Sequence, residues 1–285
     1  MKKLAQPLRE VLVWLNNKIK EINPESAWLE AELLVAFVLN KDRAFIYTID
    51  FLTDEEVEKL KKLLDLRKKG IPLNYIIEKK QFYDIELFVE RGVLIPRSET
   101  EILIEVAKDT ILKEGYKKIV EIGVGSGNIS ITLAKEFKDI KIYACDISPE
   151  AIKVARFNAK KHKVSDKIEF FFGFLLYPMV HRNVDFELII SNPPYIASWE
   201  FPFLQKEVKK EPWKALYGGW DGCEFYRKLF TLLKKRGKNF TAILEISPYI
   251  YHKVLNILKN FFDSLIIESF RDYLGHERVI KVIWH

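Results

Sequence analysis

The 285-residue chain has two cysteines, Cys145 and Cys223, and three glutamines, Gln6, Gln81 and Gln205. Two cysteines are too few for a disulfide framework or a structural zinc site, and they fit a reducing cytosol. No run of roughly eighteen apolar residues occurs, which excludes a membrane-spanning helix. The opening residues, Met1-Lys2-Lys3-Leu4-Ala5-Gln6-Pro7, have no apolar core of signal-peptide length behind their basic residues. The expected location is therefore the cytoplasm, with no membrane partner. The histidines, His162, His181 and His276 among them, are scattered without metal-ligand spacing, so no metal site is expected. Internal repeats and low-complexity tracts are absent.

What is present is an ample core: 48% of residues are apolar and 13% aromatic, enough for one large domain and a small one. The net charge of +6 favours an acidic or nucleic-acid-associated partner. The lysines, however, are spread through helices as on a solvated basic surface, and Lys160-Lys161-His162-Lys163 reads as a helix end with cations where the dipole favours them. No stable nucleic-acid partner is expected, and a monomer is.

Residues 1–79 read as a small helical domain. Leu8, Val11, Leu12, Leu15 and Ile19 recur at three-and-four spacing and share one helix face. A second helix starts near Pro24-Glu25-Ser26 and carries Trp28, Leu29, Leu33, Leu34, Phe37 and Val38. A third is announced by Thr53, followed three residues later by Glu56, the pattern of a capping box, and ends near Lys68-Lys69-Gly70. Residues 80–95 read as a β-hairpin linker, with strands at 82–89 and 93–95 and a turn at Glu90-Arg91-Gly92. From residue 96 to 285, apolar runs at 118–122, 141–145, 167–172, 187–190, 240–246, 264–269 and 278–283 alternate for the most part with helical patterns. Strands spaced by helices predict an α/β domain with a parallel, Rossmann-like sheet.

Gly123-Val124-Gly125-Ser126-Gly127 follows the strand Ile119-Val120-Glu121-Ile122 and opens a helix. Glycines there let the backbone turn sharply and approach a ligand. The spacing is GxGxG rather than the dinucleotide GxGxxG, with an acid, Glu121, just before it. Nineteen residues past Gly127, at the end of the next strand, stands Asp146, whose carboxylate can accept both ribose hydroxyls of a nucleoside. With no pyrophosphate site signalled, S-adenosylmethionine fits better than NAD. The layout resembles the seven-stranded, Rossmann-like methyltransferases. Cofactor binding is therefore expected at Glu121, Gly123, Val124, Gly125, Ser126, Gly127, Asp146, Ile147 and Asn192.

The strand Leu188-Ile189-Ile190-Ser191 runs directly into Asn192-Pro193-Pro194-Tyr195. An amide or aniline-like nitrogen is a poor nucleophile because its lone pair is delocalised. If its two N–H groups donate to the Asn192 side-chain oxygen and the Pro193 carbonyl, the lone pair is aimed at the methyl. The same dipoles stabilise the positive charge that develops on nitrogen. Pro193 and Pro194 stiffen the loop, and Tyr195 can pack over the planar group. Asn192, Pro193 and Tyr195 are the candidate catalytic residues, and all four loop residues are candidates for substrate binding.

Together with Pro72-Leu73-Asn74-Tyr75-Ile76, the segment from Val93 to Glu101, Asp146-Ile147-Ser148-Pro149-Glu150-Ala151 and Asp221-Gly222-Cys223-Glu224-Phe225-Tyr226, these loops make nearly the whole chain resemble the release factor glutamine methyltransferase family. The resemblance implies methylation of the glutamine in the Gly-Gly-Gln motif of peptide chain release factors. It also implies a helical amino-terminal domain that docks the factor and an adenine pocket at Gly173-Phe174-Leu175, where the family usually has an acid at the position of Phe174. Two more departures are Glu245-Ile246-Ser247 for Glu-Ile-Gly and Glu211-Pro212-Trp213 for Glu-Pro-Arg. The alternatives left open are an adenine amino methyltransferase on DNA or RNA, a ribosomal-protein glutamine methyltransferase and a non-catalytic adaptor. Trp199, Phe201 and Phe203 are candidates for a peptide-binding lip or for plain loop packing.

Overall fold

The computed structural model describes residues 5–237 and 239–285. They divide into two compact units: residues up to 78 with 206–210, and residues 79–205 with 211–285.

The first unit is built from β1 (Ala5–Pro7), α1 (Leu8–Lys20), α2 (Ala27–Leu39), β2 (Phe51–Thr53), α3 (Asp54–Lys68) and α4 (Leu73–Ile77). The stripe Leu8, Val11, Leu12, Leu15 and Ile19 is the buried face of α1. Thr53 caps α3: its hydroxyl accepts from the Glu56 N–H while the Glu56 carboxylate accepts from the Thr53 N–H at 2.7 Å. Arg67 is completely buried, and its guanidinium meets Glu30 at 2.9 Å, Glu207 at 2.8 Å and the Ile71 carbonyl at 2.6 Å. A buried cation needs this many acceptors, because an unpaired one costs roughly 3–5 kcal/mol.

The second unit opens with a hairpin of β3 (Lys79–Phe82) and β4 (Ile85–Phe88). Its turn falls at Tyr83-Asp84, with Tyr83 in the left-handed region at φ 52; Glu90-Arg91-Gly92 also turns, the Val93 N–H donating to the Glu90 carbonyl at 3.2 Å, but it is not the turn of the hairpin. The register explains why: pairing Phe82 with Ile85 and Lys80 with Leu87 places all three buried apolar side chains on one face. Residues 93–95 are not a strand. Val93 instead packs on Ala151 and Val154, and the Ile95 N–H donates to the Glu211 carboxylate at 3.1 Å.

There follow α5 (Thr100–Glu114), β5 (Lys118–Ile122), α6 (Asn128–Glu136), β6 (Lys141–Asp146), α7 (Pro149–Lys161), β7 (Ile168–Phe172), α8 (Tyr177–His181), β8 (Leu188–Ser191), α9 (Trp213–Leu216), α10 (Glu224–Arg236), β9 (Phe240–Glu245), α11 (Tyr251–Phe261), β10 (Leu265–Arg271) and β11 (Glu277–Trp284). The sheet is seven-stranded in the order β10-β11-β9-β8-β5-β6-β7. Strands β5 to β9 are parallel; β11 runs antiparallel to β9 and to β10, so the sheet is mixed. Side-chain alternation splits the core into two layers. Ile119, Ile142 and Ile190 pack with α5, α6 and α7, while Val120, Ile122 and Ile189 pack with α8, α10 and α11. From β5 the chain steps outward to β6 and β7, and from β8 outward the other way to β9. The carboxyl ends of β5 and β8 therefore flank a topological switch point, where sheets of this kind bind ligands.

Candidate active site

A cavity of about 480 Å³ opens at those carboxyl ends, within the range of roughly 300–1,000 Å³ usual for ligand sites. Of the residues singled out in the sequence, Gly123, Val124, Gly125, Ser126, Asp146, Ile147, Phe174, Leu175, Asn192 and Pro194 line it; Glu121, Gly127, Pro193 and Tyr195 do not.

The three loop glycines differ in what they do. All have positive φ, at 77°, 53° and 87° for Gly123, Gly125 and Gly127. A Cβ on Gly125 would meet nothing within 4 Å, so this glycine borders open cavity. One on Gly127 would strike Ile131 Cδ1 at 2.8 Å and Ala155 Cα at 3.4 Å, so Gly127 lets α6 approach α7. A Cβ on Gly123 would lie 3.8 Å from the Asn192 carbonyl oxygen. Across the cavity mouth Asp146 is oriented by backbone, with Oδ2 accepting from Gly125 N–H at 3.0 Å and Oδ1 from Ser148 N–H at 2.9 Å. Burial raises its pKa, against the pull of those N–H groups.

Glu121 shares the strand face of Ile119 and is buried under α6. Its Oε2 accepts from Ser130 N–H at 3.0 Å and from the Ser130 hydroxyl, while Oε1 has no partner. Burial pushes its pKa up to about 8, opposed by those Ser130 bonds. The acidic side chain closest to the glycine loop in sequence is thus turned into the first turn of α6.

The other wall is held by residues distant in sequence. The Asn192 side-chain Nδ2 donates to Thr100 Oγ1 at 2.9 Å, and the Thr100 hydroxyl donates to Glu245 Oε2 at 2.7 Å. Thr100 and Glu245 are fully buried, and burial raises the Glu245 pKa to about 7. Tyr226 donates to the Glu245 carbonyl at 2.7 Å, and Ser191 donates to the Ile122 carbonyl at 2.7 Å, tying β8 to β5. Tyr195 packs on the layer of α10 and α11, and burial and the Glu245 charge raise its pKa. Behind the loop, Ile196 bridges Tyr217 in parallel. A Cβ on Gly218 would fall 2.7 Å from Tyr195 Cα, and one on Gly222 2.5 Å from the Tyr195 carbonyl oxygen. Only glycine lets that strap lie so close.

Sequence reasoning missed Thr100, Gly218 and the use of Glu245. Each sits in a stretch without a spacing signal, although Thr100 and Glu245 lie in segments singled out for other reasons. Glu211 is buried and accepts from Ile95 N–H and Arg97, fixing residues 95–97 at the cavity rim. Phe174 stacks on Tyr177 at 6.4 Å with Lys228 Nζ 5.4 Å from its ring. Phe201 packs against Trp213 and Tyr217, whereas Trp199 and Phe203 are exposed. Among the described residues, no helix is long and apolar enough to cross a membrane.

Residues 98–209 match the methyltransferase small domain family and residues 10–77 match the PrmC N-terminal domain. A release factor glutamine methyltransferase of Dictyoglomus turgidum is 99% identical over 282 residues, covering 99% of this chain and 100% of that protein. Another from Clostridium acetobutylicum is 37% identical, covering 97% of this chain and 98% of its own length. Among solved structures, the catalytic domain of hMettl16 in complex with MAT2A 3'UTR hairpin 1 is similar with a TM-score of 0.55 at 14% identity, covering 87% of this chain and 90% of that one. At that identity the likeness is one of fold.

Proposed function

The chain belongs to the release factor glutamine methyltransferases, and from that membership we propose that it transfers a methyl group from S-adenosylmethionine to the side-chain amide nitrogen of the Gly-Gly-Gln glutamine of peptide chain release factors. The cavity suits that cofactor in size, in the open cradle at Gly125 and in the carboxylate of Asp146 at the end of β6. Asp146 would accept the ribose hydroxyls, Gly123 to Ser126 would lie along the nucleoside and amino-acid parts, and Phe174 and Leu175 would border the adenine. When bound, the cofactor supplies an electrophilic methyl group.

This chain's own residues do the rest. The observation that carries the reading is the setting of Asn192: it borders the cavity with Nδ2 committed to Thr100, so Oδ1 occupies the opposite branch of the planar amide. There it accepts one N–H of the glutamine amide, and the Pro193 carbonyl accepts the other. The nitrogen is held with its lone pair facing the cavity, and two oxygen dipoles stabilise its growing charge. The product nitrogen then loses its proton readily to water, so no general base is required. Tyr195, packed on the layer of α10 and α11 behind the cavity lining and unable to ionise near neutral pH, supports the loop from behind. The helical unit, residues 10–77 of which match the PrmC N-terminal domain, docks the release factor. The expected location is the cytoplasm, where release factors work.

The test is a methylation assay with labelled cofactor against a release factor, a ribosomal-protein mixture and DNA. Label confined to the release factor, and lost when its Gly-Gly-Gln glutamine is changed, supports the reading. Label in DNA or in a ribosomal protein instead overturns it in favour of that substrate.

A further inference from the structure

We propose that Glu245 and Thr100 form a polarity relay that fixes which end of the Asn192 amide faces the substrate, making both of them positioning residues for methyl transfer. The proposal rests on the assignment of Asn192 as the acceptor of the substrate N–H.

Hydrogen counting carries it. The Thr100 hydroxyl has one hydrogen and donates it to Glu245 Oε2 at 2.7 Å. An ionised carboxylate only accepts, so Thr100 is left with lone pairs alone for its other neighbour. Asn192 must meet that acceptor with a donor, its Nδ2, which lies 2.9 Å away. Oδ1 is thereby set on the other branch. The two ends of an asparagine amide have almost the same shape, so packing alone discriminates poorly between them. A flipped Asn192 would offer an NH2 to the NH2 of the substrate, donor against donor.

The relay is buried throughout. Thr100 and Glu245 are fully inaccessible, and Glu245 Oε1 has no hydrogen-bond partner. The groups facing Glu245 come from four elements: Thr100 and Glu99 at the start of α5, Tyr195 from the loop after β8, Arg278 at the start of β11 and Tyr226 of α10, the last bonded to its carbonyl. Burial, the largest influence, and Glu99 disfavour the carboxylate, while the Thr100 bond, the Arg278 charge and the Tyr195 hydroxyl favour it, and the balance sets a pKa of about 7. When Glu245 takes a proton from solvent, its new O–H can donate to Thr100. The Thr100 hydrogen is then released towards Asn192, and the amide is free to reverse. The relay is thus set above neutral pH and loosened below it.

The experiment compares wild type with Thr100→Val, which keeps the shape and removes the hydroxyl, Thr100→Ser, which keeps the hydroxyl, and Glu245→Gln. The first readout is the Asn192 side-chain amide pair in nitrogen-15 NMR of the free full-length protein, followed across pH. The second is kcat and KM on a Gly-Gly-Gln peptide, with the dissociation constant of S-adenosylhomocysteine measured alongside. One Asn192 amide proton should be shifted and slow to exchange in wild type and Thr100→Ser, and should lose both properties in Thr100→Val. In Thr100→Val, kcat should fall about tenfold, with KM and S-adenosylhomocysteine binding within about twofold, and Thr100→Ser should restore it to within about threefold. Glu245→Gln should abolish the fall in kcat on acidification through pH 7. An Asn192 signal indifferent to Thr100→Val, or serine no better than valine, overturns the relay. Wild-type protein that fails to methylate the peptide and the release factor would overturn the assigned reaction instead, and the NMR comparison, which needs no substrate, would still decide on the relay.

Discussion

The two walls of the cavity are assembled over different spans of chain. On the cofactor side Gly125 and Asp146 are 21 residues apart and bond directly at 3.0 Å. On the catalytic side Asn192 is held by Thr100 from 92 residues away, and Thr100 by Glu245 from 145 residues away. The first wall is a strand, a glycine turn, a helix and the next strand, one unit that carries its own geometry. The second comes into register only when α5, β8 and β9 are all packed. Damage to the catalytic wall should therefore show first in turnover, and damage to the cofactor wall in affinity.

The sharpest separation is expected from Asn192→Ala. Alanine offers no side-chain acceptor, so the methyl-transfer rate should fall by on the order of a hundredfold or more while cofactor affinity changes little. Near-normal turnover would remove Asn192 from the chemistry. Next in size is a pair of glycine substitutions. Gly222→Ala places a Cβ 2.5 Å from the Tyr195 carbonyl oxygen, a backbone atom, at a φ of 81°. It should shift the catalytic loop, cut kcat about tenfold and cost about 1–3 kcal/mol of stability. Gly127→Ala meets chiefly the flexible end of Ile131 and should weaken cofactor binding with kcat at saturation nearly intact. Stopped-flow rates and calorimetric affinities on both variants would break the comparison if the two effects came out reversed.

A smaller effect is expected from Glu121→Gln, and its sign depends on pH. In the folded protein the carboxyl titrates at about 8, against an ordinary value of 4.5. Below 4.5 both states hold the proton and the group contributes nothing. As pH rises towards 8 the unfolded chain ionises while the folded one does not, so folding loses stability, and above 8 the loss is complete. Glutamine removes that loss. The variant should match wild type near pH 4.5 and be more stable at pH 9 by up to a few kcal/mol, read as a difference in Tm that widens with pH. A constant difference would mean that Glu121 does not change its proton affinity on folding.

The smallest effect expected is at Phe174. Aspartate there can accept a hydrogen bond from an adenine amino group, but Lys228, now 5.4 Å from the ring, would compete for it. Phe174→Asp should therefore raise the preference for S-adenosylhomocysteine over its inosine counterpart by a few-fold, within the about 0.5–1.5 kcal/mol of one net hydrogen bond. Four dissociation constants decide it.

The same contrast explains what could be read from the chain. The glycine loop, Asp146 and the strand before Asn192 are local patterns, and all seven strands of the sheet were legible as apolar runs. Thr100 was not, because a threonine opening a helix is ordinary until its partners arrive. Glu121 was legible as an acid beside the glycines, yet alternation along β5 sends its side chain under α6 and out of the cavity lining. The hairpin turn misled for a similar reason. Gly92, a conspicuous turn residue, does help close a turn, at φ 94 with the Val93 N–H donating to the Glu90 carbonyl at 3.2 Å, but no strand follows it, while Tyr83, which has a full side chain, takes the left-handed conformation that closes the hairpin. Burial of Phe82, Ile85 and Leu87 decided that register, and local propensity gave way.

The ion cluster around Arg67 has a consequence for the order of events during synthesis. Glu207 lies 140 residues beyond Arg67. A ribosome adding about 5–20 residues per second needs on the order of ten seconds to travel from one to the other. Throughout that interval the newborn helical unit can pair Arg67 with Glu30 but not with Glu207. The part of the molecule that emerges first is thus among the last to be finished, and its completion waits on a stretch of chain made after the catalytic loop.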